Sequence, residues 1–412
     1  MTRADPRDVL ATERRMRRAV LAVFAVDGFG FGIWAAHLAA FKSVLRLSDG
    51  GLSVALFAMV MGSLVSMPWA GRIISREGSR RVVVGAASVY CLMLPLIALS
   101  VQFGGGLALF SLAALAFGAA KGALDVSANA QAMAAERSFP KPIVSSCHGC
   151  WSLGSLIGAT TAAFALRLSI PFTLTMLTLG VALLFLTLRS IRHLYHSDFV
   201  EAGSAPKASI WPTGRLLPLG VLAFLALFCE GAVSDWSAVY LAGPMGLTSS
   251  AAASGFAVYM TMMTVGRFAG DRLVATFGPA TLLRVGGLLV AVGLGGTLAI
   301  RTFPVALMGF GLVGLGLSNA VPVIFRSAGG GHESGASIAA VSTIGYLGFL
   351  AGPPMIGVLS EALGLPFALM VVVAFGLTIT LGARIIAGRN KSEDPSVRFE
   401  QETAGRSVVL VS

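Results

Sequence analysis

Five charged residues stand deep inside long apolar stretches of this chain, well away from their ends: Asp27, Lys121, Asp125, Glu230 and Asp235. A charge at a bilayer centre costs about 2.5–3.5 kcal/mol on insertion scales, so such residues mark a polar path more readily than a packing site. Lys121, Asp125 and Asn129 are spaced i, i+4, i+8, which aligns them along one face of a helix. That stripe supports a definite chemistry. Asp125 can exchange Lys121 for a proton as its partner, and this competition is what proton coupling requires. The alternative is a fixed Lys121–Asp125 pair that only stabilises its own helix.

Asp27 lies nine residues past Arg18, roughly 13 Å into a membrane at 1.5 Å per residue. Glu230 is central in its own stretch. Asp27, Asp125 and Glu230 are therefore the candidate proton-coupling residues, with Asp27 and Glu230 facing each other and Lys121 as a shared partner. Asp235 is about one turn further out, and five positions rotate it about 140° from Glu230, so one of the two lines the path and the other caps or pairs locally. A small polar solute also needs a ring to stack on and groups to take its hydroxyls. Lys121, Asn129, Asp235, Trp34, Trp151, Trp236, Tyr346, His37, His148 and Asn319 are candidates for that work, against the alternative that each packs between helices.

Twelve apolar spans must position these groups. They run near 19–41, 52–71, 82–101, 107–134, 143–165, 171–188, 216–242, 250–270, 281–300, 304–325, 336–359 and 366–387. Each reaches the roughly 20 residues that cross about 30 Å of hydrocarbon, and the stretch at 250–270 is the least hydrophobic. A composition of 56% apolar and 12% charged residues excludes an ordinary soluble domain. The net charge of +11 does not mark a nucleic-acid binder, because 25 of the 30 basic residues fall in alternate loops and termini. By the positive-inside rule both termini are expected in the cytoplasm of a bacterial inner-membrane protein. Arg14, Arg15, Arg17 and Arg18 precede a retained first span rather than a cleaved signal. Cys91, Cys147, Cys150 and Cys229 form no disulfide framework, and the single Cys147–Cys150 pair reads as helix packing rather than a metal site. No phosphate-binding G-x-x-x-x-G-K-[ST] loop occurs, so no nucleotide cofactor is expected.

The two sets of six spans carry a repeat. WSLGSLIGA in span five and GYLGFLAGP in span eleven match at Gly154/Gly348 and Gly158/Gly352, an offset of 194. Gly71-Arg72 and Gly266-Arg267 recur at an offset of 195. The expected organisation is a leader at 1–18, a first six-helix bundle at 19–188, a cytoplasmic linker at 189–215, a second bundle at 216–387 and a disordered tail at 388–412. The loop after span two, GRIISREGSRR, resembles the pattern G-x-x-x-D-R-x-G-R-R of the major facilitator superfamily. Gly71, Arg76, Gly78, Arg80 and Arg81 fit it with Arg72 beside them, while Ser75 stands where the family has an aspartate. In the second half Gly266, Arg267, Asp271 and Arg272 occupy GRFAGDRL. The resemblance implies an all-α membrane protein of 12 transmembrane helices in two pseudo-symmetric six-helix bundles, with these residues at its gating loops.

A narrower resemblance, from about Val20 to Ala387, is to the fucose-permease-like branch. It rests on GIWAAHLAAFKSVLRLS, GALDVSANAQ, SSCHGCWSLGSLIGA, EGAVSDWSAVYL and STIGYLGFLAGPPMIG. Asp125 with Asn129 reproduces the branch's fourth-helix acid and asparagine, which implies a proton-coupling role for Asp125. The branch's first-helix acid aligns nearer Ala35 than Asp27, and its fifth-helix polar pair falls on His148 and Trp151. The expectation is a monomeric, cofactor-free secondary transporter that moves a small polar solute (a sugar, polyol or amino derivative) with protons by alternating access. Import by symport is favoured over export of amphipathic compounds or a non-transporting sensor. No nucleophile and base stand at a spacing an enzyme would use.

Overall fold

The computed structural model describes residues 6–138, 143–194, 214–328 and 334–392. Among these the secondary structure is helical, with no strand. The first half comprises α1 (Pro6–Val44), α2 (Asp49–Glu77), α3 (Ser79–Gln102), α4 (Gly106–Ser138), α5 (Val144–Arg167) and α6 (Phe172–Ser190). The second comprises α7 (Leu217–Ala242), α8 (Ser249–Phe277), α9 (Pro279–Ile300), α10 (Phe303–Leu317), α11 (Ala320–Ala328), α12 (Ser334–Leu363), α13 (Leu365–Ala368) and α14 (Met370–Ser392). Spans ten and twelve are each two helices, α10 with α11 and α13 with α14. Eleven crossings are long and apolar enough by composition, and α8 completes the twelve. That exception is the stretch the hydropathy pattern marks as weakest.

Boundaries depart from expectation at both termini. α1 begins at Pro6, inside the segment read as a leader, and α14 continues to Ser392, past the expected start of the tail. Residues 1–5, the linker segment 195–213 and the tail from 393 onward lie outside the described residues. Large apolar side chains such as Phe185, Met308 and Leu381 face outward, as lipid contact requires of a membrane-embedded bundle.

The halves repeat one neighbour pattern. α1 packs on α5, α2 and α3 on α4, and α3 on α6; correspondingly α7 packs on α12, α8 and α9 on α10, and α9 on α14. Helix starts and stops repeat too. Ser48 caps α2 by accepting from the Gly51 N–H at 3.1 Å, and Thr248 caps α8 by accepting from the Ala251 N–H. Gly78 (φ 83°) and Gly278 (φ 78°) then turn the chain into α3 and α9, in a conformation an L side chain resists. With Ser48 matched to Thr248 and Gly78 to Gly278, Gly71-Arg72 corresponds to Asp271-Arg272. The apparent repeat of Gly71-Arg72 at Gly266-Arg267 is coincidental, and Arg267 is the counterpart of Met67.

The repeat between spans five and eleven has a physical basis. A Cβ on Gly154 would lie 2.2 Å from the Ala25 carbonyl oxygen of α1, and one on Gly348 would lie 2.3 Å from the Phe224 carbonyl oxygen of α7. α1 answers with Gly28 and Gly32 against the Trp151 and Ser155 carbonyls. Small residues one turn apart let the backbones touch, which substitutes for the hydrophobic drive that lipid removes.

At one end of the bundle the two halves are tied together. Ser53 donates to the Pro353 carbonyl at 2.8 Å, and the Gly50 N–H donates to Glu361 Oε1 at 2.7 Å. Asp49 accepts from Ser360 across the halves and pairs with Lys42 of α1. The start of α2 and the end of α12 thus form a seal between the halves at this end.

Candidate functional site

Between the halves lies a cavity of about 280 Å³, lined from α1, α2, α4, α5, α7, α8 and α12. Lys121 of α4 is its best-connected charge. Its ammonium donates to both Asp125 oxygens at 3.0 Å and to the Asp27 oxygens at 3.2 and 3.3 Å. The same ammonium sits 5.5 Å from the Trp151 ring centre and 5.8 Å from that of Phe31, whose faces add cation–π attraction. Asp27 is only 3% exposed. Trp151 Nε1 donates to its Oδ2 at 2.8 Å, while Tyr90 donates to the Asp27 backbone carbonyl and fixes α1 at this level. Asn129 faces the cavity but donates to the Asp125 carbonyl within its own helix.

The opposite wall carries a second cation. Arg267, on α8, donates to Glu230 Oε1 of α7 at 3.2 Å and to Ser152 Oγ of α5 at 2.6 Å. Its guanidinium fork therefore links the two halves beside the cavity, a geometry that suits arginine's fixed donor spread. The expectation that placed Gly266 and Arg267 at a gating loop is corrected. Both lie within α8, and Gly266 packs on Ser318. The pairing of Glu230 with Lys121 is corrected as well, because Arg267 takes Glu230.

Glu230 and Asp235 both line the cavity, together with Gly231 and Ser234, so α7 turns a broader face inward than the spacing of the two acids implies. His148 packs edge-on against Phe24, and Tyr346 is 49% exposed. Both line the cavity. The other aromatic and polar candidates lie elsewhere. Trp34 stacks on Phe110 inside the first half, and His37 is buried with Nδ1 at 2.8 Å from the Ile33 carbonyl. Trp236 is fully buried. Asn319 stands at the break between α10 and α11, where it donates to the Gly266 carbonyl at 2.8 Å. These residues organise packing and do not reach the cavity.

The basic loop residues form a structural corner. Arg80 donates to the Ile191 carbonyl at 3.2 Å, Arg81 pairs with Glu77 in the exposed i,i+4 manner, and Arg72 lies over the Trp69 ring. Gly78 makes the turn, while Gly71, Arg76 and Arg272 belong to α2 and α8. The side chains of Ser75 and Asp271 lie outside the described residues.

The decisive comparison is with protein-family models: that of the Major Facilitator Superfamily matches residues 20–353. The chain belongs to the major facilitator superfamily. An uncharacterized MFS-type transporter of Yersinia pestis is 35% identical over 366 residues, covering 88% of this chain and 94% of that relative. Among solved structures, the nucleoside transporter NupG is similar with a TM-score of 0.69 at 11% identity, over 92% of this chain and 99% of that one. The E. coli fucose:proton symporter FucP is similar with a TM-score of 0.59 at 17% identity, over 90% of this chain and 98% of that one. These identities speak for the fold. As a member of this superfamily the chain is a multi-pass membrane transporter and not an enzyme.

Proposed function

We propose that this major facilitator protein imports a small polar solute by proton symport, as a fucose-permease-like member of the superfamily, with a sugar, polyol or amino derivative as solute. The observation that carries the reading is the position of Lys121, held between Asp27 and Asp125 at the cavity wall. One ammonium shared by two carboxylates can be released by protonating either. Protonation of Asp125 frees Lys121 to turn toward Asp27, and loss of that proton restores the pair. Lys121 and Arg267 supply donors to solute hydroxyls, and Trp151, Phe31 and Tyr346 supply rings. Similarity to the fucose:proton symporter supports a polar solute and a coupled proton. With both termini in the cytoplasm of a bacterial inner membrane, as the basic loops favour, the seal faces outward and the cavity opens inward.

The test is reconstitution in liposomes with a pH-sensitive dye inside and a panel of sugars, polyols and aminopolyols outside. Solute-dependent acidification is expected for the wild type and its loss for Asp125→Asn. Absence of proton movement with every solute contradicts symport and favours an exporter or a sensor.

A further inference from the structure

Among the described residues, each half holds two carboxylates and one cation in or directly behind the cavity wall. In the first half Asp27 and Asp125 share Lys121. In the second, Glu230 takes Arg267 and Asp235 is left with none. Asp235 lines the cavity and is 6% exposed, and it makes no hydrogen bond or ion pair among the described residues.

The groups around it account for that isolation. On α8, Arg267 is engaged by Glu230 and Ser152, and Tyr259 is fully buried. On α4, Lys121 is engaged by its two carboxylates, one of them the α1 residue Asp27. Further along α1, Lys42 is held by Asp49, and His37 is turned to the Ile33 carbonyl. α12 contributes Tyr346 at the cavity and Glu361 at the seal, and α10 carries no titratable side chain. Arg326 of α11 and Arg384 of α14 stand toward the far ends of their helices, away from the seal. No cation among the described residues compensates Asp235.

A buried carboxyl without a cation or a hydrogen-bond donor is far more stable as the neutral acid than as the anion. We propose that Asp235 is a second proton-carrying site of the cavity, in the C-terminal half and independent of the Lys121 cluster. Its depth suits the role. Asp235 lies seven residues before the end of α7 at the seal, about 10 Å, whereas Glu230 lies about 18 Å from it. When the seal opens, Asp235 is the first of the two α7 carboxyls to meet water on that side. It takes its proton there and, after the halves rock, releases it to water at the other mouth. While protonated it donates its O–H to a solute oxygen. This inference rests on the cavity being the transport path.

The experiment is infrared difference spectroscopy of the full-length protein in lipid bilayers without solute, titrated in H2O and D2O, so that protonated carboxyl stretches are read directly. Asp235→Asn is expected to lose one such band, Asp125→Asn to keep that band, and Asp235→Glu to keep it at a shifted frequency. The Glu variant guards against loss by misfolding. A spectrum of folded Asp235→Asn that retains every protonated-carboxyl band of the wild type overturns the proposal. The readout is separate from the liposome test: band loss without flux leaves the site standing and removes the symport reading, while flux with no Asp235 band does the reverse.

Discussion

Lys121→Met is expected to abolish solute-coupled proton flux and to destabilise the first half by about 3–5 kcal/mol, the usual penalty for removing one partner of a buried ion pair. The size follows from how much one ammonium does. It compensates two carboxylates, one of them 3% exposed, and it sits over two aromatic faces. Removal leaves neither carboxylate a cation, with Asp27 keeping the Trp151 N–H. Adding Asp27→Asn removes one of the stranded charges. The double variant is therefore expected to regain a large part of the stability, measured by thermal unfolding in detergent, and none of the flux, measured in proteoliposomes. A Lys121→Met protein that unfolds and transports like the wild type contradicts the shared-cation account.

Gly118→Val is expected to prevent accumulation of folded protein, with a penalty of at least about 3 kcal/mol, the upper range for overpacking. A Cβ at this position would stand 1.8 Å from the Met59 carbonyl oxygen, and a rigid helix backbone cannot retreat as a side chain can. The same seam holds Gly62 against the Leu115 carbonyl and Gly122 against Ser63, so α2 and α4 have no slack along several turns. Ser63 also donates to the Gly118 carbonyl at 2.7 Å, a bond that close approach makes available. Gly71→Val on α2 is the control. Nothing lies within 4 Å of a Cβ there, and its yield and unfolding temperature are expected to stay near the wild type. Equal yields for the two variants would show that close packing of α2 on α4 is not what holds the first half together.

The class of the fold was legible because lipid imposes it. A span must be long and apolar, and the count of such runs, with their basic loops, leaves few architectures. The Lys121–Asp125–Asn129 stripe was legible for a similar reason, since helical spacing alone aligns it. What crosses between helices was legible only in part. Lys121 was expected to serve both Asp27 and Glu230; it reaches Asp27, while Glu230 goes to Arg267, and nothing in the spacing of Glu230 and Asp235 says how wide a face α7 turns to a cavity. Arg267 reaches the cavity from well inside α8, a place that the short match to Gly71-Arg72 concealed. Short motif matches misled where a longer register decides. Gly71-Arg72 and Gly266-Arg267 looked like a repeat, whereas the caps at Ser48 and Thr248 and the turns at Gly78 and Gly278 pair Gly71-Arg72 with Asp271-Arg272 instead. Trp34, His37 and Asn319 failed as site residues because a buried polar side chain on a helix serves a neighbouring backbone as readily as a ligand.

Alternating access requires that the cavity be reached from both sides of the membrane in turn, by opening of the seal between α2 and α12. The most direct measurement is thiol labelling of Tyr346→Cys in a protein whose four native cysteines are replaced, reconstituted in liposomes and exposed to a membrane-impermeant maleimide on one face at a time. Labelling is irreversible, so even a sparsely populated open state accumulates product. Modification is expected from both faces, with that from the sealed face blocked when Gly50→Cys and Glu361→Cys are first joined by a disulfide. Modification from one face only, at any exposure time, would contradict alternating access and leave a membrane protein that binds without transporting.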